Sequence, residues 1–287
     1  MNRFLIAGLS VCLAPPAYAQ ARLSISPTRP EPGAIVRLTL RDSAARGAIT
    51  SIRGTMAGEP LHFVSSGHGV WRAIGGVPVD ASGSVTAVAT VERAPNVVDT
   101  LTARATVPRL RVATSRLNVD TGFTRPLDSA TAARVANENA RARDVGRRAH
   151  ETPQLWTRAF LPPRASEITS RFGSGRVFNG QVTSRHLGVD FRGAIGDTVR
   201  AANRGVVALV ENFFLAGNVV YIDHGAGVVT GYFHLSQPLV AVGDTVARGQ
   251  AIGLVGQTGR VTGPHLHWAA RYGALAVNPL DLLALSR

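Results

Sequence analysis

The chain contains no lysine, and its one cysteine, Cys12, lies within the first twenty residues. The missing lysine excludes a carrier domain that bears a lipoyl or biotinyl group, because such carriers are modified on lysine. Cys12 sits in a segment that reads as removable. The remaining chain therefore has no disulfide and no thiolate ligand, and any metal it holds must bind nitrogen and oxygen. Beyond the first twenty residues there is no long apolar run, so no stable membrane insertion is expected of the mature chain. No periodic helical stretch is long enough for the hairpin of an efflux adaptor. Charged residues make up 17% and hydrophobic ones 45% of the 287 residues, a balance that supports a packed core and argues against disorder.

Every basic side chain apart from histidine is an arginine, and the formal net charge is +13. Compositional bias is the simplest source of this pattern. The functional reading is attraction to an anionic surface such as a cell wall, a membrane or nucleic acid. Nucleic acid is disfavoured because no recognition motif or basic–aromatic cluster is present. Export would also separate the chain from it. Arg3, the apolar run Phe4 to Leu13 and the small-residue site Ala17-Tyr18-Ala19 form a secretory signal over residues 1–19, cleaved before Gln20. Leu9-Ser10-Val11-Cys12 faintly resembles a lipoprotein site, but Val11 is bulky where a small residue is expected. The expected location is the periplasm or the extracellular cell wall.

The mature chain divides into three stretches and reads as mostly β. Over residues 20–111, Leu23 and Ile25, then Val36, Leu38 and Leu40, then Val85, Ala87 and Ala89, and finally Leu101, Ala103 and Ala105 alternate with outward positions. That period of two buries one face of a strand. Pro30-Glu31-Pro32-Gly33 and Ala81-Ser82-Gly83-Ser84 supply turns, and the whole predicts an immunoglobulin-like sandwich. His62 and His68 lie here without acids or histidines at ligand spacing, and are expected on the surface or in loops. Residues 112–160 form a linker. In it Asp128 or Ser129 caps a helix that runs to about Arg148, rich in Ala and Arg. Its large apolar residues are only Val135 and Val145, so it is expected on the surface. Residues 161–287 return to glycine-rich β structure, an antiparallel sheet or sandwich. Gly196-Asp197-Thr198-Val199 recurs there as Gly243-Asp244-Thr245-Val246. Paired hairpins or a shared turn would account for the echo.

The chemistry concentrates in this last stretch. His186 and Asp190 stand four apart, and His265 and His267 two apart. Two imidazole nitrogens and a carboxylate oxygen suit a zinc ion with one open position. Such an ion polarises carbonyls and lowers the pKa of a bound water to about 7. On a flat strand, residues four apart are about 13 Å from each other. Zinc ligands each sit about 2.0–2.2 Å from the ion, so the chain must bend between His186 and Asp190. Gly188 permits the bend. His265 and His267, on a strand, share one face with Leu266 turned into the core. Their Cα atoms are then about 6–7 Å apart, so one ring can ligate while the other reaches a bound water or substrate. His234 follows a predicted strand. His224 reads as a hairpin-turn residue outside the site.

In combination, Ser170-Arg171-Phe172-Gly173, His186-Leu187-Gly188-Val189-Asp190-Phe191, Tyr232-Phe233-His234-Leu235 and Thr258-Gly259 to Trp268 resemble the lysostaphin-type (LytM) zinc metalloendopeptidases, over roughly residues 156 to 284. That family cleaves peptide bonds in peptidoglycan stems and cross-bridges. The resemblance implies Zn2+ held by His186, Asp190 and His267. It implies that His234 and His265 flank the attacked carbonyl, with His265 as general base and His234 as oxyanion stabiliser, or the two exchanged. Peptidoglycan is the implied partner, and no protein partner is indicated. The alternative is an inactive member that binds peptidoglycan or activates another hydrolase. Two positions depart from the family. Alanines follow His267-Trp268 where a glutamate is frequent, which leaves the residues supporting the ligands unassigned. Phe233 stands where a small residue is usual and would narrow the cleft. Asn179, before His186, is a candidate to cap the open position in a latent form, although a loop asparagine ordinarily serves a turn.

Overall fold

A computed structural model describes residues 21–42, 47–109, 114–117, 126–178 and 181–285. The expected signal segment with Cys12, and Asn179, lie outside these residues. The first eight strands are β1 (Arg22–Ser26), β2 (Ile35–Arg41), β3 (Ile49–Met56), β4 (Glu59–Leu61), β5 (Val64–Ser65), β6 (Val70–Gly76), β7 (Gly83–Arg93) and β8 (Val97–Val107). They pair antiparallel in two sheets, β1-β2-β6-β5 and β4-β3-β7-β8. The alternation read from the sequence faces inward: Val36, Leu38, Ala87 and Ala105 join Met56 and Leu61 in a core between the sheets. A buried guanidinium ties one edge of the sandwich. Arg93 bonds both carboxylate oxygens of Asp42 at 2.7 and 2.9 Å, and Asp99 at 3.0 Å. This chelate ties Asp42, just after β2, to the β7–β8 hairpin.

The described parts of the stretch read as a linker are built into the rest of the fold. β9 (Thr114–Leu117) pairs parallel with β11 (Gly175–Phe178), which pairs in turn with β12 (Gln181–Arg185). Helix α1 (Ser129–Arg148) starts where expected, with the Asp128 carboxylate accepting from Thr131 N at 2.8 Å, and it ends on Arg147 and Arg148. It does not lie free on the surface. Ala142, Val145 and Ala149 pack on Leu209, Phe213, Val219, Tyr221 and Val229. Glu138 is buried and accepts from Phe214 N at 2.9 Å and from Arg134 at 2.7 Å. The face is buried through small residues, so a count of large apolar ones underrates it.

The remaining strands are β10 (Ile168–Ser170), β13 (Val189–Arg192), β14 (Thr198–Arg200), β15 (Gly205–Phe213), β16 (Gly217–Gly225), β17 (Val228–Pro238), β18 (Thr245–Val246), β19 (Ala251–Val255), β20 (His265–Tyr272) and β21 (Leu275–Val277), followed by a short helix α2 (Leu280–Leu283). The main sheet runs β10-β13-β20-β17-β16-β15-β18 and is antiparallel. The recurrent Gly-Asp-Thr-Val is one turn used twice. Asp197 Oδ2 accepts from Ala194 N, and Asp244 Oδ2 from Ala241 N, both at 2.8 Å. Gly196 N then donates to Val255 O, and Gly243 N to Val207 O. Among the described residues no helix is long and apolar enough to cross a membrane.

The two halves share a core. Ile35 of β2 belongs to the same buried cluster as Val189, Leu266 and Trp268, and Ile74 packs against it. Polar bonds stitch the seam: Ile35 N to Asp281 Oδ2 at 2.8 Å, Asn278 N to Gly33 O at 2.8 Å and Tyr272 Oη to Pro60 O at 2.6 Å. His62 lies in the loop between β4 and β5, as expected, and there it is half-buried and part of this seam. Its Nε2 lies 2.8 Å from His150 Nδ1, and His150 Nε2 lies 3.0 Å from Glu59. His68 is exposed, as expected.

His224 stays out of the site but is fully buried, held between Arg204 O and Thr230 Oγ1 at 2.8 Å each. Burial pushes its pKa down to about 4, only partly offset by the Arg204 carbonyl. The unfolded chain then takes up a proton at higher pH than the folded one. Stability is complete above about pH 6.5 and falls as the pH drops toward the folded value, by up to about 3 kcal/mol. Urea unfolding at pH 7 and pH 4.5 should show this loss, and His224→Gln should make it shallower.

Candidate functional site

The sheet register builds the site. β13 and β20 pair so that Asp190 faces His267, while Val189 pairs with Trp268 and Phe191 with Leu266. The four apolar residues are buried at 0–2% exposure, which commits the opposite face of both strands to Asp190, His265 and His267. The expectation for Leu266 in, histidines out, is met. β17 adds Phe233 opposite His267. The Phe233 ring stacks on the His267 imidazole at 5.1 Å between centroids and 18° between planes.

His186 arrives from the loop after β12. Residues 186–188 are not strand, and the bend brings His186 Nε2 to 2.9 Å from Asp190 Oδ1 and 2.9 Å from His267 Nδ1. His267 Nδ1 is 2.8 Å from the same Asp190 oxygen. Gly188 is needed here for a reason other than backbone freedom. Its φ is not left-handed, but a Cβ at this position would lie 2.4 Å from His267 Nε2 and 2.7 Å from Trp268 O. Only a hydrogen fits between the loop and the imidazole.

The other two histidines stand beside this trio. His265 Nε2 is 3.7 Å from Asp190 Oδ1, and its Nδ1 is 2.9 Å from Gly263 O. His234 Nδ1 is 2.9 Å from Thr258 O, and the two rings are 4.9 Å apart. His234 sits at a break in β17 with φ +63°. A non-glycine residue in that region carries strain, which its N–H bond to Ala216 O at 2.9 Å holds in place. All five expected site residues therefore converge.

Residues 184–279 match the model of Peptidase family M23. A Pseudomonas aeruginosa protein assigned to peptidase M23 superposes with a TM-score of 0.66 at 26% identity, covering 89% of this chain and 95% of that one. The catalytic domain of lysostaphin from Staphylococcus simulans is 32% identical over 42% of this chain and 93% of that domain, with a TM-score of 0.37. The peptidoglycan DD-endopeptidase ShyA of Vibrio cholerae is 49% identical over 104 residues, 35% of this chain and 24% of that protein. Residues 184–279 are a domain of peptidase family M23. The chain spans roughly a quarter of the length of the curated relatives it matches.

The electrostatics of the site favour a cation. Burial would raise the Asp190 carboxyl, but hydrogen bonds and charge from His186 and His267 outweigh it and hold the group well below the usual carboxylate range. The carboxylate is charged, buried, and meets a nitrogen of each of these two imidazoles through Oδ1. His186 Nε2, Asp190 Oδ1 and His267 Nδ1 each offer one ligand atom, all within 4.8 Å of one another. An N, N, O donor set without sulfur fits zinc. Burial first, then the charges of His267 and His265, push the His234 pKa down to about 3. His234 is thus neutral near pH 7. With Nδ1–H donated to the Thr258 carbonyl, its Nε2 carries a lone pair.

The support for His186 was not foreseen. Its Nδ1 lies 3.1 Å from Arg171 O and 3.1 Å from Ser170 Oγ, which leaves Nε2 free to face the site. The Ser170-Arg171-Phe172-Gly173 motif was visible, but a carbonyl acceptor has no residue signature. With no glutamate after His267-Trp268, His186 is held by the Arg171 carbonyl and the Ser170 hydroxyl, and His267 by the Phe233 stack. Replacing Gly188 with Ala should push His267 aside. Zinc affinity, read by competition with a chromophoric chelator, should fall about 10-fold or more, as for lost ligand support.

Proposed function

We propose that the chain is an exported, zinc-dependent endopeptidase that hydrolyses peptide bonds in peptidoglycan stems or cross-links. The observation that carries this reading is the triangle of His186 Nε2, Asp190 Oδ1 and His267 Nδ1 at 2.8–2.9 Å, with two more imidazoles beside it. Relatives named peptidoglycan DD-endopeptidases support the substrate class. An exported, wall-facing chain follows from that substrate and from the signal pattern of residues 1–19. The strand orders β1-β2-β6-β5 and β4-β3-β7-β8 support reading residues 20–111 as an immunoglobulin-type sandwich and 161–287 as the peptidase domain.

His186, Asp190 and His267 would hold the zinc. When bound, the ion supplies Lewis-acid polarisation of the scissile carbonyl and an activated water. The protein does the rest. The Gly263 carbonyl fixes the His265 tautomer so that Nε2 can accept a proton from the attacking water and pass it to the leaving amine. Asp190, 3.7 Å away, stabilises His265 once it is charged. His234 is more buried, and among the described residues its ring meets the Thr258 carbonyl as its one hydrogen-bond partner, so carrying a proton is harder for it in the resting site. This favours His265 as general base. His234 then acts on the developing oxyanion, whose negative charge offsets the cost of protonating it. Leu187, 41% exposed beside His186, and the Phe233 ring flank the approach.

Purified sacculi of different cross-link types, digested with and without a chelator and analysed by mass, test the reading. Chelator-sensitive release of muropeptides is expected. Binding to sacculi with no released product would instead support the inactive wall-binding alternative. His186→Ala and Asp190→Ala should lose zinc and cleavage together. His265→Ala should keep zinc while turnover falls about 10²–10⁴-fold. Loss of the metal in that variant would mean that the ligands are wrongly assigned.

A further inference from the structure

The amino-terminal sandwich reaches the segments that aim His186. The β1–β2 turn places Gly33, at φ +82°, against the edge of the Phe172 ring. A Cβ there would lie 2.3 Å from Phe172 Cε1 and 2.7 Å from Cζ. Gly33 is also clamped from the other side, where its carbonyl accepts from Asn278 N at 2.8 Å. Phe172 follows Arg171, whose carbonyl meets His186 Nδ1. The same turn grips the His186 backbone twice: Gly173 N donates to His186 O at 2.8 Å, and His186 N donates to Ser174 O at 2.9 Å. A second strut lies one residue away. Arg185 donates from Nη1 to Val79 O, in the β6–β7 turn of the sandwich, at 2.7 Å.

We propose that the sandwich is a positioning element for His186: Gly33 seats Phe172 and Val79 anchors Arg185, so metal affinity in one half of the chain depends on residues in the other. The inference rests on the metal-site reading above. The mechanism is direct. The turn from Ser170 to Ser174 sets both the backbone position and the ring orientation of His186. That turn rests on the sandwich through Phe172. A ligand moved off its aim loses affinity steeply, because supporting contacts of ligand histidines are worth about 10- to 100-fold in metal binding. Phe172, Gly33, Val79 and Arg185 are positioning residues and touch no reacting atom.

The test uses the full chain, purified and loaded with zinc. Affinity is read by chelator competition, well below the unfolding midpoint of each variant. Gly33→Ala should weaken zinc binding about 10-fold by driving Phe172 off its seat. Adding Phe172→Ala should remove the further cost of Gly33→Ala, since the clash then has no partner. Arg185→Ala removes an exposed side chain without a core contact, so it carries the test if Gly33→Ala fails to fold; it too should weaken zinc binding. Zinc affinity within twofold of the parent in a folded Gly33→Ala and in Arg185→Ala, while His186→Ala binds none, overturns this inference and leaves the metal site standing. A parent chain that binds no zinc, or a His186→Ala variant that binds it equally well, overturns both.

Discussion

The pairing of β13 with β20 sets Asp190 beside His267, and the rest of the site is arranged around that pair. The register is not held by the polar residues. It is held by Val189, Phe191, Leu266 and Trp268 on the other face, all nearly inaccessible to water. A slip of one residue would turn these four outward and the charged group inward. Each large apolar side chain so exposed forfeits about 1.5–3 kcal/mol, which makes the core the guardian of the polar geometry. Asp190 can be buried as an anion only because two imidazoles face it from separate stretches of chain.

Backbone carbonyls orient three of the imidazoles. Arg171 O serves His186, Gly263 O serves His265 and Thr258 O serves His234. Each can accept from Nδ1–H, which turns Nε2 toward the site. Loops hold the carbonyls, and the loops are held by sheet edges and by the sandwich. His267 is oriented differently, by the Phe233 ring on one side and by the space left at Gly188 on the other.

What was legible in the sequence was whatever depends on local periodicity. The two-residue alternation of β2 and β7, the outward pair His265 and His267, and the Asp128 cap follow from spacing alone. The need for a bend between His186 and Asp190 was also readable, because two ligands of one ion cannot be 13 Å apart on a flat strand. The role of Gly188 was only half readable: the sequence shows a missing side chain, not the imidazole pressed against it. The pairing of the loop residue His62 was not readable, because its partner, His150, stands 88 positions away. Helix α1 was underrated because Ala142 and Ala149 bury a face that hydrophobicity alone does not mark. The strand β9 was hidden for a similar reason, since its pairing is with β11, about sixty residues on.

Ile35 is a residue of the amino-terminal sandwich that completes the carboxyl-terminal core. Chimeras assembled from this chain and its relatives must respect that seam. A foreign sandwich grafted at the linker would arrive without a residue matched to this core, and would leave apolar surface bare on both donors. Shuffling these halves requires exchanging Ile35, Ile74 and the facing β20–β21 surface as one block.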